Sequence, residues 1–150
     1  MTGPAPRAEA TLPRAEVEEA ALLLSLSARP VIWAGAGAAG AGEAVAAVAR
    51  LLAAPVVTSF SGKGVLSEDE PLLVGSLFGA SEVARLIGGA DAALAVGTTF
   101  SARSTRKGSL PLPMQLFHVD LDPAVFSRAY PTRLGIPGEA RAVLEALADR

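Results

Sequence analysis

The sequence predicts an α/β fold, a doubly wound parallel sheet held between helices in three layers. Three observations predict it. Short, wholly apolar runs recur along the chain, segments with helical spacing of apolar residues separate them, and glycine or proline marks nearly every junction. A run that is apolar at every position has two faces to bury. Its sheet therefore needs helices on both sides, the condition met by parallel strands joined through helical crossovers.

Arg14 to Ala28 reads as the first helix: Pro13 precedes it, acids occupy its first turns, and Val17, Ala20, Ala21 and Leu24 recur along one face. It must stop near Pro30, because a proline disfavours helix at the residue before it. Val31 to Ala34 is a strand closed by glycines, and Glu43 to Ala53 is a helix carrying Val45, Val48, Leu51 and Leu52 at helical spacing. Pro55 to Thr58 is a second strand. A long glycine-bearing loop follows, then a short helix over Ser81 to Ile87 that ends at Gly88 and Gly89. Ala92 to Val96 and Leu116 to Leu121 are buried strands, joined by a polar, basic loop from Gly97 to Pro113. Thr132 to Ile136 is a last edge strand, and Glu139 to Ala148 a closing helix with Val143, Leu144 and Leu147 turned inward. In such sheets ligands bind beyond the carboxyl ends of the strands, where connections diverge to opposite faces. That directs attention to residues 35–40, 58–64, 75–79, 97–107 and 120–123.

At 150 residues, 51% of them apolar, the chain fits one domain with a real core. Residues 14–150 form that domain. Residues 1–13 are rich in Pro and Ala, lack hydrophobic periodicity, and read as a flexible linker. A net charge of −2 and scattered arginines offer no line of cations to a phosphate backbone, so nucleic acid is not an expected partner. There is no cysteine and only one histidine, which rules out a disulfide framework and makes a poor zinc ligand set. The apolar stretch Ala20 to Ala28 is preceded by Glu16, Glu18 and Glu19 rather than by the positive charge of a secretion signal, and it is too short to span a bilayer. A cytoplasmic location without membrane contact is the expectation.

Gly35-Ala36-Gly37-Ala38-Ala39-Gly40 is a G-x-G-x-x-G segment between a strand and a helix. Such glycines let a backbone approach a pyrophosphate, and they equally serve any sharp strand-to-helix turn. A dinucleotide site also wants an acid about 20 residues on, at the end of the second strand, to take a ribose hydroxyl. Thr58, Ser59 and Phe60 stand there instead. The Lys63 loop lacks the first glycine and the Ser or Thr of a phosphate-binding loop, and no G-x-S-x-G elbow is present. Gly97 opens a loop that Arg103, Arg106 and Lys107 make positive; it suits an adenylate phosphate or a solvated surface alike. Asp120 ends a strand where it can accept from a ribose. His118 on the same face reads as structural, since catalysis needs a positioned partner.

Five segments, RPVIWAGAG (29–37), PVVTSFSGKG (55–64), ADAALAVGTTF (90–100), FHVDLDP (117–123) and IPGEARAVLEAL (136–147), together resemble the central domain of thiamine-diphosphate-dependent enzymes of the acetolactate synthase type. Their order and spacing carry the resemblance. It implies a Rossmann-like parallel sheet of about six strands, of the DHS-like NAD/FAD-binding kind, set between a pyrimidine-binding and a diphosphate-binding domain. It implies a parent carboligase or decarboxylase that uses thiamine diphosphate and magnesium and assembles as a dimer or tetramer. In this family the central domain either holds FAD or an ADP moiety or is purely structural. Carried over by position, the nucleotide contacts fall on Gly35, Ala36, Gly37, Thr58, Ser59, Phe60, Gly97, Arg103, Asp120 and Glu139. The sequence departs from the flavin-binding pattern at Ala36, at Thr99 in place of an arginine, and at Ser101 and Ala102 in place of acids. Losing that arginine removes a rigid multi-donor cation suited to phosphate.

The resemblance also implies a thiamine site built from a Gly-Asp-Gly segment with a following Asn and from a separate glutamate, and these elements are not found in the chain. The expectation is a domain that is catalytically silent by itself, with no catalytic and no metal-binding residues of its own. Two alternatives stand beside it: a free-standing FAD- or ADP-binding module, and a sirtuin-like NAD-dependent enzyme suggested by the Gly-Ala-Gly after the first strand.

Overall fold

The structure, a computed structural model, describes residues 12–59, 61–76, 81–101, 105 and 107–150. In chain order its elements are α1 (Arg14–Ser25), β1 (Pro30–Ala34), α2 (Gly42–Leu52), β2 (Val56–Thr58), β3 (Leu73–Ser76), α3 (Ser81–Gly88), β4 (Ala92–Val96), β5 (Leu116–Asp120), β6 (Leu134–Pro137) and α4 (Ala140–Ala148). The strands form one six-stranded sheet in the order β3-β2-β1-β4-β5-β6, with every pair parallel. The order turns about β1, which lies between β2 and β4. Residues 1–11 of the expected linker lie outside the described residues.

The two faces divide by the period of two along each strand. Ile32, Ala34, Val56, Leu94, Val96, Phe117, Val119 and Ile136 pack on one side against α1, α2 and α4. Val31, Trp33, Val57, Ala93, Ala95 and Leu116 pack on the other against Val83 and Ile87 of α3 and against Phe100 and Leu110 of the β4–β5 loop. Every residue of β1 and β4 is buried, as the unbroken apolar runs require. Each large core side chain taken out of water contributes about 1.5–3 kcal/mol, so these two clusters hold the layers together. Among the described residues no helix is long and apolar enough to cross a membrane.

Two elements differ from the sequence reading. β3 falls within what reads as loop. It is an edge strand whose pairing with β2 shifts register between Val56 and Val57, and Gly75 in its middle has φ +120°. An irregular four-residue strand with one paired edge carries neither alternation nor a long apolar run. α1 also ends at Ser25, short of Ala28. Beyond it the carboxylate of Asp91, just before β4, accepts from the amides of Ala28 (2.8 Å) and Arg29 (2.9 Å) and from the Ser27 hydroxyl. Residues 27–29 are thus drawn out of the helix and tied to the start of β4.

Those bonds favour the ionised carboxylate, with the Ser27 hydroxyl the largest influence, and lower the Asp91 pKa from 3.8 to about 2. A lowered folded-state value stabilises above the unfolded pKa and loses that effect as pH falls through the folded one. The Asp91→Ala variant should be less stable than the natural chain at neutral pH. The gap should close between pH 3.8 and about 2, as read from urea midpoints across that range.

Candidate functional site

The carboxyl ends of the strands gather most of the residues to which the sequence points. Gly35 is extended, Ala36–Ala38 make one 3-10 turn, and α2 starts at Gly42. This turn is pressed onto the end of β4. The amide of Gly35 donates to Val96 O (2.8 Å) and that of Gly37 to Gly97 O (2.9 Å), while Gly97 N–H donates to Val119 O (2.9 Å). A Cβ on Gly37 would lie 2.7 Å from Gly97 Cα, and one on Gly97 2.6 Å from Gly37 Cα. Gly97 has φ +62°, a conformation that L side chains avoid. Three glycines are therefore required for one backbone to touch another.

The neighbouring loop joins the same contact. Ser59 N–H donates to Ala34 O (3.0 Å), and the Ser59 hydroxyl and carbonyl both accept from Gly62 N–H at 3.0 Å. Thr58 and Ser59 are buried. Phe60 and Arg103 lie outside the described residues. Asp120 is half-exposed and its carboxylate accepts from Asp122 N–H (3.0 Å); Asp122 in turn accepts from Ala124 N–H (3.0 Å) and opens a 3-10 turn over Pro123–Val125. Glu139 is exposed at the amino end of α4, on the same edge. The structure thus brings Gly35, Ala36, Gly37, Thr58, Ser59 and Gly97 to the crevice beside β1, with Asp120 and Glu139 at the ends of β5 and β6. Ala36 and Gly37 remain solvent-accessible there.

His118 points to the α3 face of the sheet, with Leu116 and Phe100. It is buried, with Nε2 2.7 Å from Thr98 O and its ring edge-on to Phe100 and Phe126 at centroid distances of 5.1 Å. A carbonyl only accepts, so Nε2 carries the proton and Nδ1, which has no partner among the described residues, is the bare nitrogen. Burial lowers the pKa below 6.5, outweighing the opposing influence of Thr98 O and Asp120. His118 is a neutral structural strut. It anchors Thr98 next to Phe100, which adopts φ +53° and packs edge-on against Trp33.

Another cavity lies apart from these residues. A cleft of about 650 Å³ opens between the start of α2, residues 65–70 and α4, lined by Glu43, Arg50, Glu70, Arg141 and Glu145 among others. Arg50 pairs with Glu70 at 2.6 Å and Arg141 with Glu145 at 3.0 Å. Sequence reasoning missed it, because apart from Gly40 at the end of the glycine segment the charged residues of its walls come from three remote segments and form no motif.

Two groups implied by the resemblance can be set against these residues. A pyrophosphate at the glycine turn would look for amide donors, and those of Gly35 and Gly37 are already donated to β4. Thiamine diphosphate with its metal would look for clustered acids, and no three of His, Asp and Glu gather that closely among the described residues. The described residues do not fit the thiamine group.

Comparison with known proteins bears on the same region. The family described as thiamine pyrophosphate enzyme, central domain, matches residues 17–147. A probable 2-ketoarginine decarboxylase (AruI) of Pseudomonas aeruginosa is 43% identical over 87% of this chain and 23% of its own. A probable acetolactate synthase large subunit of Methanocaldococcus jannaschii is 34% identical over 88% and 23%, and the acetolactate synthase isozyme 2 large subunit of Escherichia coli 32% identical over 93% and 26%. The chain spans about a quarter of the length of these relatives.

Gly97→Ala should cost about 2–5 kcal/mol, adding a left-handed penalty of about 1–2 to overpacking of about 1–3. Gly40→Ala, at φ +82° with nothing within 4 Å of the added carbon, should cost only the first part; urea unfolding measures both. For His118 the unfolded chain takes up protons first on acidification. The contribution of the neutral ring is therefore full above pH 6.5 and declines as pH falls toward the lower folded value. His118→Gln, which can still donate to Thr98 O, should flatten stability against pH over that interval.

Proposed function

This chain belongs to the family of thiamine pyrophosphate enzyme central domains, and on that premise we propose that it is the non-catalytic scaffold domain of a 2-keto acid carboligase or decarboxylase. In this reading the parent's pyrimidine-binding and diphosphate-binding domains hold thiamine diphosphate and magnesium. Held by those domains, that cofactor would supply the electron sink for chemistry beside the keto carbon, a part the present residues do not take. The present residues hold a rigid sheet between those domains, in a cytoplasmic parent that assembles as a dimer or tetramer. The observation that carries the scaffold role is the closed contact of Gly35 and Gly37 with Gly97, which turns the amides of a nucleotide-type loop inward. A transferase or lyase parent agrees with the names of the relatives, two acetolactate synthases and a decarboxylase.

A second reading gives the same edge to FAD or an ADP moiety, held by Gly35, Ala36, Gly37, Thr58, Ser59, Phe60, Gly97, Arg103, Asp120 and Glu139. The exposure of Ala36, Gly37 and Glu139 favours it. Titration separates the two readings. A ligand that binds only the folded state stabilises it by about 4 kcal/mol at a thousand times its Kd. The scaffold reading expects no rise in Tm with FAD or ADP and no turnover of pyruvate by the chain with thiamine diphosphate and magnesium. A saturable rise would transfer the role to the second reading. Sequencing the DNA on either side of codons 1 and 150 should find thiamine-binding reading frames; stop codons with no such frame nearby would end the proposal.

A further inference from the structure

At the amino-terminal edge of the sheet, opposite the glycine turn, the last turns of α1, α2 and α4 meet around a notch of about 290 Å³. Leu24, Val48, Leu51, Leu52 and Leu147 form its apolar walls, and Arg150 stands among them. Leu51 is 67% exposed. Leu22 in the last turn of α1 and Leu26 just beyond its end, which flank the notch residue Ser25 in the chain, are 60% and 73% exposed. Large aliphatic side chains grouped in the open on adjoining helix ends mark a surface made to be covered.

The electrostatics of the notch restrict what covers it. All three helices present their carboxyl ends, where the helix dipole is negative, although Leu22 O, Leu24 O, Ala49 O, Arg50 O and Leu147 O already accept from N–H groups just beyond the helices. Neither α1 nor α4 has a basic residue in its last turn. Arg50 of α2 is engaged by Glu70, and Arg150 by Glu18. The complement is an apolar side chain accompanied by N–H donors or a Lys or Arg. Leu147, Ala148 and Arg150 line the notch themselves, so the end of α4 lies at its mouth. In the relatives the matched region is about a quarter of the chain, which leaves ample length outside it.

We propose that the segment following α4 in the parent enzyme docks in this notch, seating an apolar side chain against Leu24, Leu51 and Leu147 and presenting donors to the three helix ends. The inference rests on the parent reading above. Tethering makes the docking intramolecular, at an effective concentration on the order of millimolar for a short linker, so a shallow notch suffices.

The chain has no cysteine, so a Leu51→Cys variant places a single reporter at the notch. Maleimide labelling at this position is followed by peptide mass spectrometry, in the 150-residue chain and in the parent, each rate normalised to the same protein in denaturant. The expected result is rapid labelling in the chain and at least tenfold slower labelling in the parent. Equal rates in the two would overturn the docking and leave the parent reading intact. Slow labelling already in the chain would also overturn it, pointing to a second copy if the rate depends on protein concentration and to the chain's own residues if it does not. Hydrogen exchange on the unsubstituted proteins repeats the comparison without a variant: amides of residues 22–27 and 50–53 should exchange more slowly in the parent. Absence of any flanking thiamine-binding frame would remove the parent reading and this inference together.

Discussion

Where the turn after β1 meets the end of β4, two backbones lie closer than any side chain would permit. Gly37 donates to the carbonyl of Gly97, Gly35 to that of Val96, and Gly97 passes the contact on to Val119 of β5. These bonds tie the central strands together beyond the last rung of their ladder. They also fix the exit of the chain into α2, and the same turn receives the β2 loop through Ser59 and Gly62. In this order of strands β1 is where connections part to the two faces, so the position of α2 over one face depends on that contact. Substituting any of the three glycines introduces a carbon where backbone already stands.

The two faces of the sheet are stabilised differently. One is covered by three helices with ordinary aliphatic packing. The other has, among the described residues, one eight-residue helix and a long irregular loop. There the aromatic rings of Trp33, Phe100, Phe126 and Tyr130, with His118 among them, substitute for a second helix, their edge-to-face contacts supplying area and direction in place of regular secondary structure. The neutral His118 ring and the left-handed backbone at Phe100 belong to this arrangement: both are costs that the cluster offsets by filling the face.

Much of this architecture is legible in the amino acids because burial on both faces leaves an unambiguous trace. β1, β4 and β5 read as apolar runs, and α2 and α4 as helices by the spacing of Val45 and Val48, and of Val143 and Leu147. β3 is not legible, since a bulged edge strand with Gly75 at φ +120° resembles the loop around it. The glycine motif is legible as a sharp turn but not as to purpose: pyrophosphate and a second backbone ask the same thing of it, a missing Cβ. The second backbone, at Gly97, lies 60 residues away in the chain. The charged cleft beside α2 is only partly written in the sequence: Arg141 and Glu145 pair four residues apart along α4, whereas Arg50 finds Glu70 only after residues 65–70 fold beside α2.

Trp33 is the chain's only tryptophan. Its indole lies in the middle of the sheet, buried, edge-on to Phe100, with its N–H unpaired among the described residues. Intrinsic fluorescence from this protein is therefore a local signal, a view of the thin aromatic side alone. Loosening of the helical side would pass unseen in the emission spectrum and show only in circular dichroism, so divergence between the two optical signals would reveal which layer gives way first.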